Sequence, residues 1–180
     1  MQNFQTLYTE LAKKLTDNIN EIRWVDLWNS QVYNLEDEHP FPTPAVFLAF
    51  RTNQTADVGN KVQQVRMQVD VFVFYETFLD TFKGAYNQKD ALAFLDIMDK
   101  INALFHGSSG TNYSSMRRIA FSPVDTGGAG NLWSITYETE LMDYSATPKW
   151  EDLEVDGIIV ERGDTQRQAP DFSNGYTIPY

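Results

Sequence analysis

The sequence predicts an α+β fold: a mainly antiparallel sheet of about five strands with two helices packed on one face, plus an extended C-terminal arm. Two segments place apolar residues three and four positions apart, a spacing that puts them on one face of a helix. Five other segments alternate apolar and polar residues or form short apolar runs, and turn-forming residues separate most of them. Because hairpin-like links join most of the strands, we expect mainly antiparallel pairing.

The two predicted helices span residues 4–19 and 88–106, and each has a single apolar face. The apolar face of the first helix consists of Phe4, Leu7, Tyr8, Leu11, Leu15 and Ile19. The apolar face of the second consists of Leu92, Leu95, Met98, Ile101, Leu104 and Phe105. A one-sided apolar stripe predicts a helix that covers a sheet and turns its other side to water.

The predicted strands span residues 22–28, 45–51, 64–75, 115–122 and 131–144. The inward face of the third strand is predicted to carry Val65, Met67, Val69, Val71, Val73 and Tyr75. The last strand alternates in the same way, with Trp133, Ile135, Tyr137, Thr139 and Leu141 facing inward. The polar segment 52–61 contains Gly59 and predicts a loop or a hairpin tip.

The chain divides by composition into a core domain, residues 1–144, and an extended arm or tail, residues 145–180. The arm contains Pro148, Pro170 and Pro179 and an acidic patch at 151–156. Its one strand-like piece is the apolar segment 157–160. This composition predicts an arm rather than a second core.

Charge and cysteine content limit the classes of function. The net charge of −11 opposes tight binding to nucleic acid, because such binding depends on clustered Lys and Arg against phosphate. The chain has no cysteine, which excludes disulfides, cysteine-ligated zinc and thiol catalysis. Charged residues within the first twenty positions interrupt any signal-peptide apolar region, so we expect a protein made and used without secretion, with no membrane partner.

One tripeptide has the form of a catalytic motif. Asp125-Thr126-Gly127 matches the short signature of aspartic proteases, in which two aspartates across a dimer share a proton. Pro123 interrupts the apolar strand that such a site requires before the aspartate, and Gly128 and Gly130 follow it closely. A turn between antiparallel strands is therefore the favoured interpretation, and a dimeric hydrolase that uses Asp125 is the alternative.

The remaining polar clusters favour solvated surfaces. Glu36, Asp37, Glu38 and His39 are consecutive, whereas calcium loops alternate their ligands. The other candidates are a carboxylate pair, a second histidine and a small basic group, namely Glu138, Glu140, His106, Arg66, Arg117 and Arg118. None of these residues is accompanied by the partner residues that a catalytic triad, a zinc site or a phosphate-binding loop requires. We therefore predict a non-enzyme with no catalytic residue, no cofactor and no metal.

The aromatic residues exceed what one buried face requires. A group of them falls within eleven positions and consists of Phe72, Phe74, Tyr75, Phe78 and Phe82. A second apolar surface on a protein usually contacts a protein partner. We therefore expect an interaction surface near this group.

The order and texture of the elements resemble those of the tail-terminator and tail-completion proteins of tailed bacteriophages. The resemblance covers roughly residues 4–144. It begins with the N-terminal helix, an aromatic strand and a proline-rich loop. The resemblance continues in four later segments, which are residues 69–74, 91–98, 118–121 and 133–141.

The resemblance implies a structural subunit in the neck or tail of the virion, made in the host cytoplasm. Such subunits form a ring, a hexamer or a dodecamer, that terminates the tail or joins it to the connector while DNA passes through without specific binding. The neighbouring connector and tail proteins are the implied partners. An adaptor of a host contractile or secretion machine remains an alternative that would share the fold.

Overall fold

The computed structural model describes residues 3–33, 40–76, 81–126 and 130–147. It confirms the α+β fold, with a five-stranded mixed sheet and helices packed against it. The elements are α1 (Asn3–Asn18), β1 (Trp24–Leu27), a 3-10 turn (Gln31–Tyr33), β2 (Ala45–Gly59), β3 (Val62–Tyr75), α2 (Gln88–Ala91), α3 (Ala93–Phe105), β4 (Arg117–Val124) and β5 (Asn131–Asp143). None of the helices in the described ranges is long and apolar enough to cross a membrane.

The strand order in the sheet is β1-β2-β3-β5-β4. Three of the four pairings are antiparallel, as predicted, but β1 pairs with β2 in parallel. A parallel pair requires a crossover connection. Here the link between β1 and β2 supplies it, because Trp28, Val32 and Phe41 pack over Phe47 and Phe74 on the face opposite the helices.

The main core lies between one face of the sheet and the two long helices, and the stripe prediction holds better for α1, where only Phe4 is exposed, than for α3. The α1 stripe contributes Leu7, Leu11, Leu15 and Ile19. The buried residues of α3 are Phe94, Ile97, Met98, Ile101 and Phe105. Phe94 and Ile97 were not predicted, and the predicted Leu92, Leu95 and Leu104 are only partly buried. The buried residues of both helices cover the alternating inward residues of β3 and β5, which include Val69, Val71, Ile135 and Tyr137. The predicted inward faces of both strands are therefore confirmed.

Two element boundaries differ from the prediction. Residues 52–59 are not a loop, because β2 continues to Gly59 and pairs with β3 along this length. Backbone hydrogen bonds hold this arm of the hairpin, and nearly all its side chains are exposed, so it has no apolar pattern to detect. The predicted helix 88–106 is interrupted at Leu92, which separates α2 from α3.

The first strand is shorter than predicted. It contains four residues, and Trp24 and Leu27 are exposed by 38% and 48%. Because these two residues lie on opposite faces of the strand, neither face of β1 is fully covered. Most of the predicted arm, residues 148–180, lies outside the described residues. Its first residues follow β5, and the Thr147 hydroxyl donates a hydrogen bond to the Lys61 carbonyl at the β2–β3 turn.

Candidate assembly surface

The outermost strand, β4, leaves one of its two sides unpaired by any strand of the described residues. It pairs with β5 on its inner side, from Arg117 opposite Glu138 to Val124 opposite Leu132. Nearly every residue along it is exposed, including Ile119 at 41% and Phe121 at 46%. We call the outer side of Arg117–Val124 the β4 edge. An open edge with exposed apolar side chains is suited to pairing with another chain.

Two local features limit which strand can add to the β4 edge. The pairing with β5 shifts between Arg118 and Ala120, so Ile119 lies in a bulge. Pro123 has no backbone N–H and cannot donate to a partner strand. Both features reduce indiscriminate pairing, because a partner must match an irregular edge.

A row of aromatic rings supports the β4 edge from behind. The Phe121 ring stacks on Trp133 with their centroids 4.9 Å apart. Trp133 contacts Phe94 of α3, and Phe94 stacks on Tyr75 at 5.6 Å. Phe121 is therefore held in one orientation by its own chain while almost half of it faces solvent.

The segment that leads into β4 is tied to α1. Lys14 donates hydrogen bonds to the Ser109 carbonyl and to the Tyr113 hydroxyl. The backbone N–H of Thr111 donates to Glu10 at 3.0 Å. A Cβ on Gly110 would lie 2.1 Å from the Tyr113 ring and 2.2 Å from a Glu10 oxygen, so a larger residue here would displace both side chains. These contacts position the start of β4 relative to the helix layer.

Burial and ionic contacts set the pKa of Glu10. Burial acts to raise the pKa of this carboxyl, but hydrogen bonds from Thr111 and Lys14, together with the charge of Lys14, hold it below the ordinary value of 4.5. The ionised form is therefore the one that this contact stabilises.

The two arginines that begin β4 have different surroundings. Arg117 bonds Glu138 at 3.0 Å on the face opposite the helices. The backbone N–H of Arg118 donates to His106 Nδ1 at 3.2 Å. Among the described residues, no acidic side chain forms an ion pair with the exposed Arg118 guanidinium. Its positive charge opposes the rise in the pKa of Tyr137, which burial causes.

The face opposite the helices changes from apolar to charged along the strands. Near the β1–β2 link, Phe47, Phe74 and Leu132 are buried. Further along, Asp70 accepts hydrogen bonds from the Thr136 hydroxyl at 2.7 Å and from Arg51 at 3.0 Å. This buried carboxylate is satisfied by groups from strands on both sides of β3.

Glu138 and Glu140, the predicted carboxylate pair, lie on this charged part of the face. Glu138 bonds Arg117, and Glu140 bonds both Arg66 at 3.2 Å and Gln64 at 2.8 Å. Each carboxylate is thus held by its own arginine. The arginines Arg66 and Arg117 are correspondingly engaged within the sheet.

A second open edge lies on the opposite side of the sheet. β1 pairs only with the first four residues of β2, from Ala45 to Leu48. Beyond that point, the outer side of residues 49–59 is unpaired by the described strands. This edge is mainly polar; its apolar residues are Ala49, Phe50, Ala56 and Val58, of which Val58 is 51% exposed. The two open edges therefore differ in length and chemistry.

The other sequence candidates are dispersed. Asp125 is exposed just after β4, in the link to β5, where the antiparallel pairing of these strands agrees with the turn interpretation. Gly127 and the acidic segment 36–39 lie outside the described residues. His106 ends α3 and accepts the Arg118 N–H. Within the described ranges, no group of three His, Asp or Glu side chains is placed to hold a metal.

The predicted aromatic surface is only partly present. Phe72 stacks on Trp28 with centroids 4.2 Å apart, Phe74 is buried, and Tyr75 stacks on Phe94. Phe82 is 64% exposed, and Phe78 lies outside the described residues. Most of the expected excess is therefore covered by this chain. The exposed apolar residues of β4 were missed, because a short strand with Ile and Phe has the same pattern whether or not it is covered.

Comparison with models of protein families and with curated proteins finds no match to this chain.

The Asp70 network yields a stability prediction. We expect Asp70→Ala to reduce the free energy of unfolding by about 1–3 kcal/mol, since the buried Thr136 hydroxyl and Arg51 lose their acceptor. Asp57→Ala is the matched control, because Asp57 is exposed and accepts one bond from Gln63. Urea denaturation measures both variants. Equal stability of the two would contradict the proposed importance of the network.

The Glu10 contact yields a pH prediction. Because the pKa of Glu10 is lowered in the folded state, its stabilisation is present above the unfolded-state value near 4.5 and is lost as pH falls through the folded pKa. Glu10→Gln should therefore be less stable than the parent at pH 7, and the difference should shrink below about pH 4.5. Denaturation curves across pH test this. Asp17→Asn, in the exposed pair with Lys13, should show little effect at pH 7.

Proposed function

We propose that the chain is a structural subunit of the neck or tail of a tailed bacteriophage. It would form a ring at the head-to-tail junction that terminates the tail or joins it to the connector, and DNA would pass through the ring. The observation that carries this proposal is the pair of unlike open edges on opposite sides of one sheet. The similarity in element order to tail-terminator and tail-completion proteins supports it.

Unlike edges favour a ring over a simple dimer. A two-fold dimer uses the same patch on both subunits, whereas contact between two different patches repeats around an axis and closes when the rotation allows. The β4 edge is the contact side with exposed apolar residues, Ile119 and Phe121. The aromatic row behind Phe121 gives it the rigidity that a contact residue needs. The resemblance to tail-terminator and tail-completion proteins implies that the ring is a hexamer or a dodecamer.

The charge of the subunit suits passage of DNA rather than binding. The chain carries −11 overall, so a lumen formed by these subunits repels phosphate on average. On the face opposite the helices, the arginines Arg51, Arg66 and Arg117 are each bonded to a carboxylate. Their positive charge is locally balanced and does not form a continuous basic path for DNA.

The proposal assigns no catalytic residue, cofactor or metal to this subunit. Its partners are other copies of the chain and the adjoining connector and tail proteins. The corresponding place of action is the virion, after synthesis in the host cytoplasm.

Light scattering over a concentration series tests the ring. We expect a discrete ring mass, either for the protein alone or after addition of the connector or tail-tube proteins encoded beside it. Ile119→Asp should shift the equilibrium to monomer, because an exposed apolar contact residue becomes charged, while the circular dichroism spectrum stays unchanged. Tyr86→Ser is the matched control, since Tyr86 is fully exposed in the link before α2.

The same measurement can contradict the proposal. A monomer at every concentration, with and without the neighbouring virion proteins, would overturn it. A dimer that never grows would instead direct attention to the hydrolase alternative, which an Asp125→Asn variant assayed on peptide substrates would then test.

A further inference from the structure

The β4 edge is an incomplete binding site for an extended strand. Its backbone groups on the outer side have no partner strand among the described residues, and Ile119 and Phe121 are exposed beside them. Adding one strand to such an edge satisfies main-chain hydrogen bonds and places alternate side chains against the exposed ones. The occupant must be short, apolar over a few residues and compatible with the bulge at Ile119.

We propose that residues 155–160 of a neighbouring copy pair with the β4 edge as a sixth strand; this inference rests on the ring proposed above. The segment reads Val155-Asp156-Gly157-Ile158-Ile159-Val160. Valine and isoleucine are among the residues most favoured in strands. The segment is about as long as the part of β4 that is open.

The order of charges agrees with a parallel pairing. β4 begins with Arg117 and Arg118, and its exposed apolar residues follow. The arm has the complementary order, because the acidic patch 151–156 directly precedes the apolar segment 157–160. Parallel pairing thus places acidic residues beside arginines and apolar residues beside apolar residues. Antiparallel pairing places the acidic patch beside the apolar end of β4.

One register satisfies the alternation of side chains. With Asp156 beside Arg118, the bulged Ile119 is skipped and Gly157 lies beside Ala120. Ile158 then lies beside Phe121. Arg118 is the arginine of β4 that has no ion-pair partner among the described residues, so it is available for Asp156. Arg117 keeps its bond to Glu138 on the other face.

The segment between Thr147 and the pairing residues sets how far the arm can reach. Asp156 follows Thr147 by nine residues, and a fully extended segment of that length spans roughly 30 Å, so the neighbouring β4 edge must lie within that distance of Thr147. Donation to a neighbour gives each subunit one donating arm and one accepting edge, which is the unlike contact that a closed ring repeats. Pairing with the chain's own β4 is the competing outcome, and the experiment below separates the two.

Disulfide trapping tests the pairing, and the absence of natural cysteines makes the result unambiguous. The test protein carries Ala120→Cys and Gly157→Cys and is oxidised after light scattering has shown the ring. We expect a ladder of disulfide-linked chains on a non-reducing gel, ending at the number of subunits in the ring. The control carries Ala120→Cys with Thr177→Cys, which lies in the same arm outside the pairing segment.

Each outcome decides between the possibilities. A bond within single chains would overturn the exchange in favour of self-pairing, and free thiols in an intact ring would overturn the strand pairing while leaving the ring. An equal ladder in the control would also overturn the strand pairing, because the arm would then contact the β4 edge without a fixed register. If no ring forms with or without the neighbouring virion proteins, both the ring and this inference fail.

Charge reversal provides a second readout in the same assembly. Arg118→Glu should weaken ring formation by roughly tenfold, since an attraction to Asp156 becomes a repulsion. Adding Asp156→Arg to the same chain should restore most of the loss. Circular dichroism and urea denaturation confirm that both variants are folded. A loss that Asp156→Arg leaves unrestored would overturn the pairing of these two residues.

Discussion

The burial of one face of the sheet beneath α1 and α3 is the constraint on which the rest of the structure depends. β3 lies in the middle of the sheet, and its inward valines contact the stripes of both helices. Each fully buried aliphatic side chain contributes about 1.5–3 kcal/mol, far more than any exposed ion pair on this surface. The helix layer therefore fixes β2, β3 and β5, and β4 extends from that core through its ladder with β5.

The face of the sheet opposite the helices is covered at one end only, and this asymmetry creates the surface on which function is proposed. The link between β1 and β2 covers only the end of the sheet that carries Phe47 and Phe74. The remaining part of this face is exposed to solvent, and arginine–carboxylate ion pairs link its neighbouring strands. Since neither layer encloses the outer strand, β4 stays exposed along most of its length. The proposed ring assembly would use this exposed strand.

Much of the fold could be predicted because burial leaves a periodic signal. The stripe of α1 and the alternation of β3 and β5 are both consequences of one apolar layer, and both predictions were confirmed. The β2 arm could not be predicted, because its exposed residues are held to β3 mainly by backbone pairing, which leaves no apolar pattern in the sequence. The parallel pairing of β1 was also missed, since a four-residue strand carries no information about direction.

The candidate surface was predicted less well than the fold. The aromatic group at 72–82 was expected to remain partly exposed, yet Phe72 and Phe74 are packed by the link from β1. That contact joins residues more than 25 positions apart, and no local pattern reveals it. The exposed Ile119 and Phe121 have the composition of a buried strand. Their exposure follows from the position of β4 at the end of the sheet.

The sequence by itself determined the class of fold, the apolar faces of α1 and the central strands, the strong acidity and the absence of thiol chemistry. These properties depend on local periodicity and on composition, which a single chain displays directly. Only the tertiary structure decided which strand lies at the edge, which aromatic residues are covered, and which arginines are engaged by carboxylates. Those features depend on contacts between distant segments, because strand order, rather than strand composition, determines what remains open to a partner.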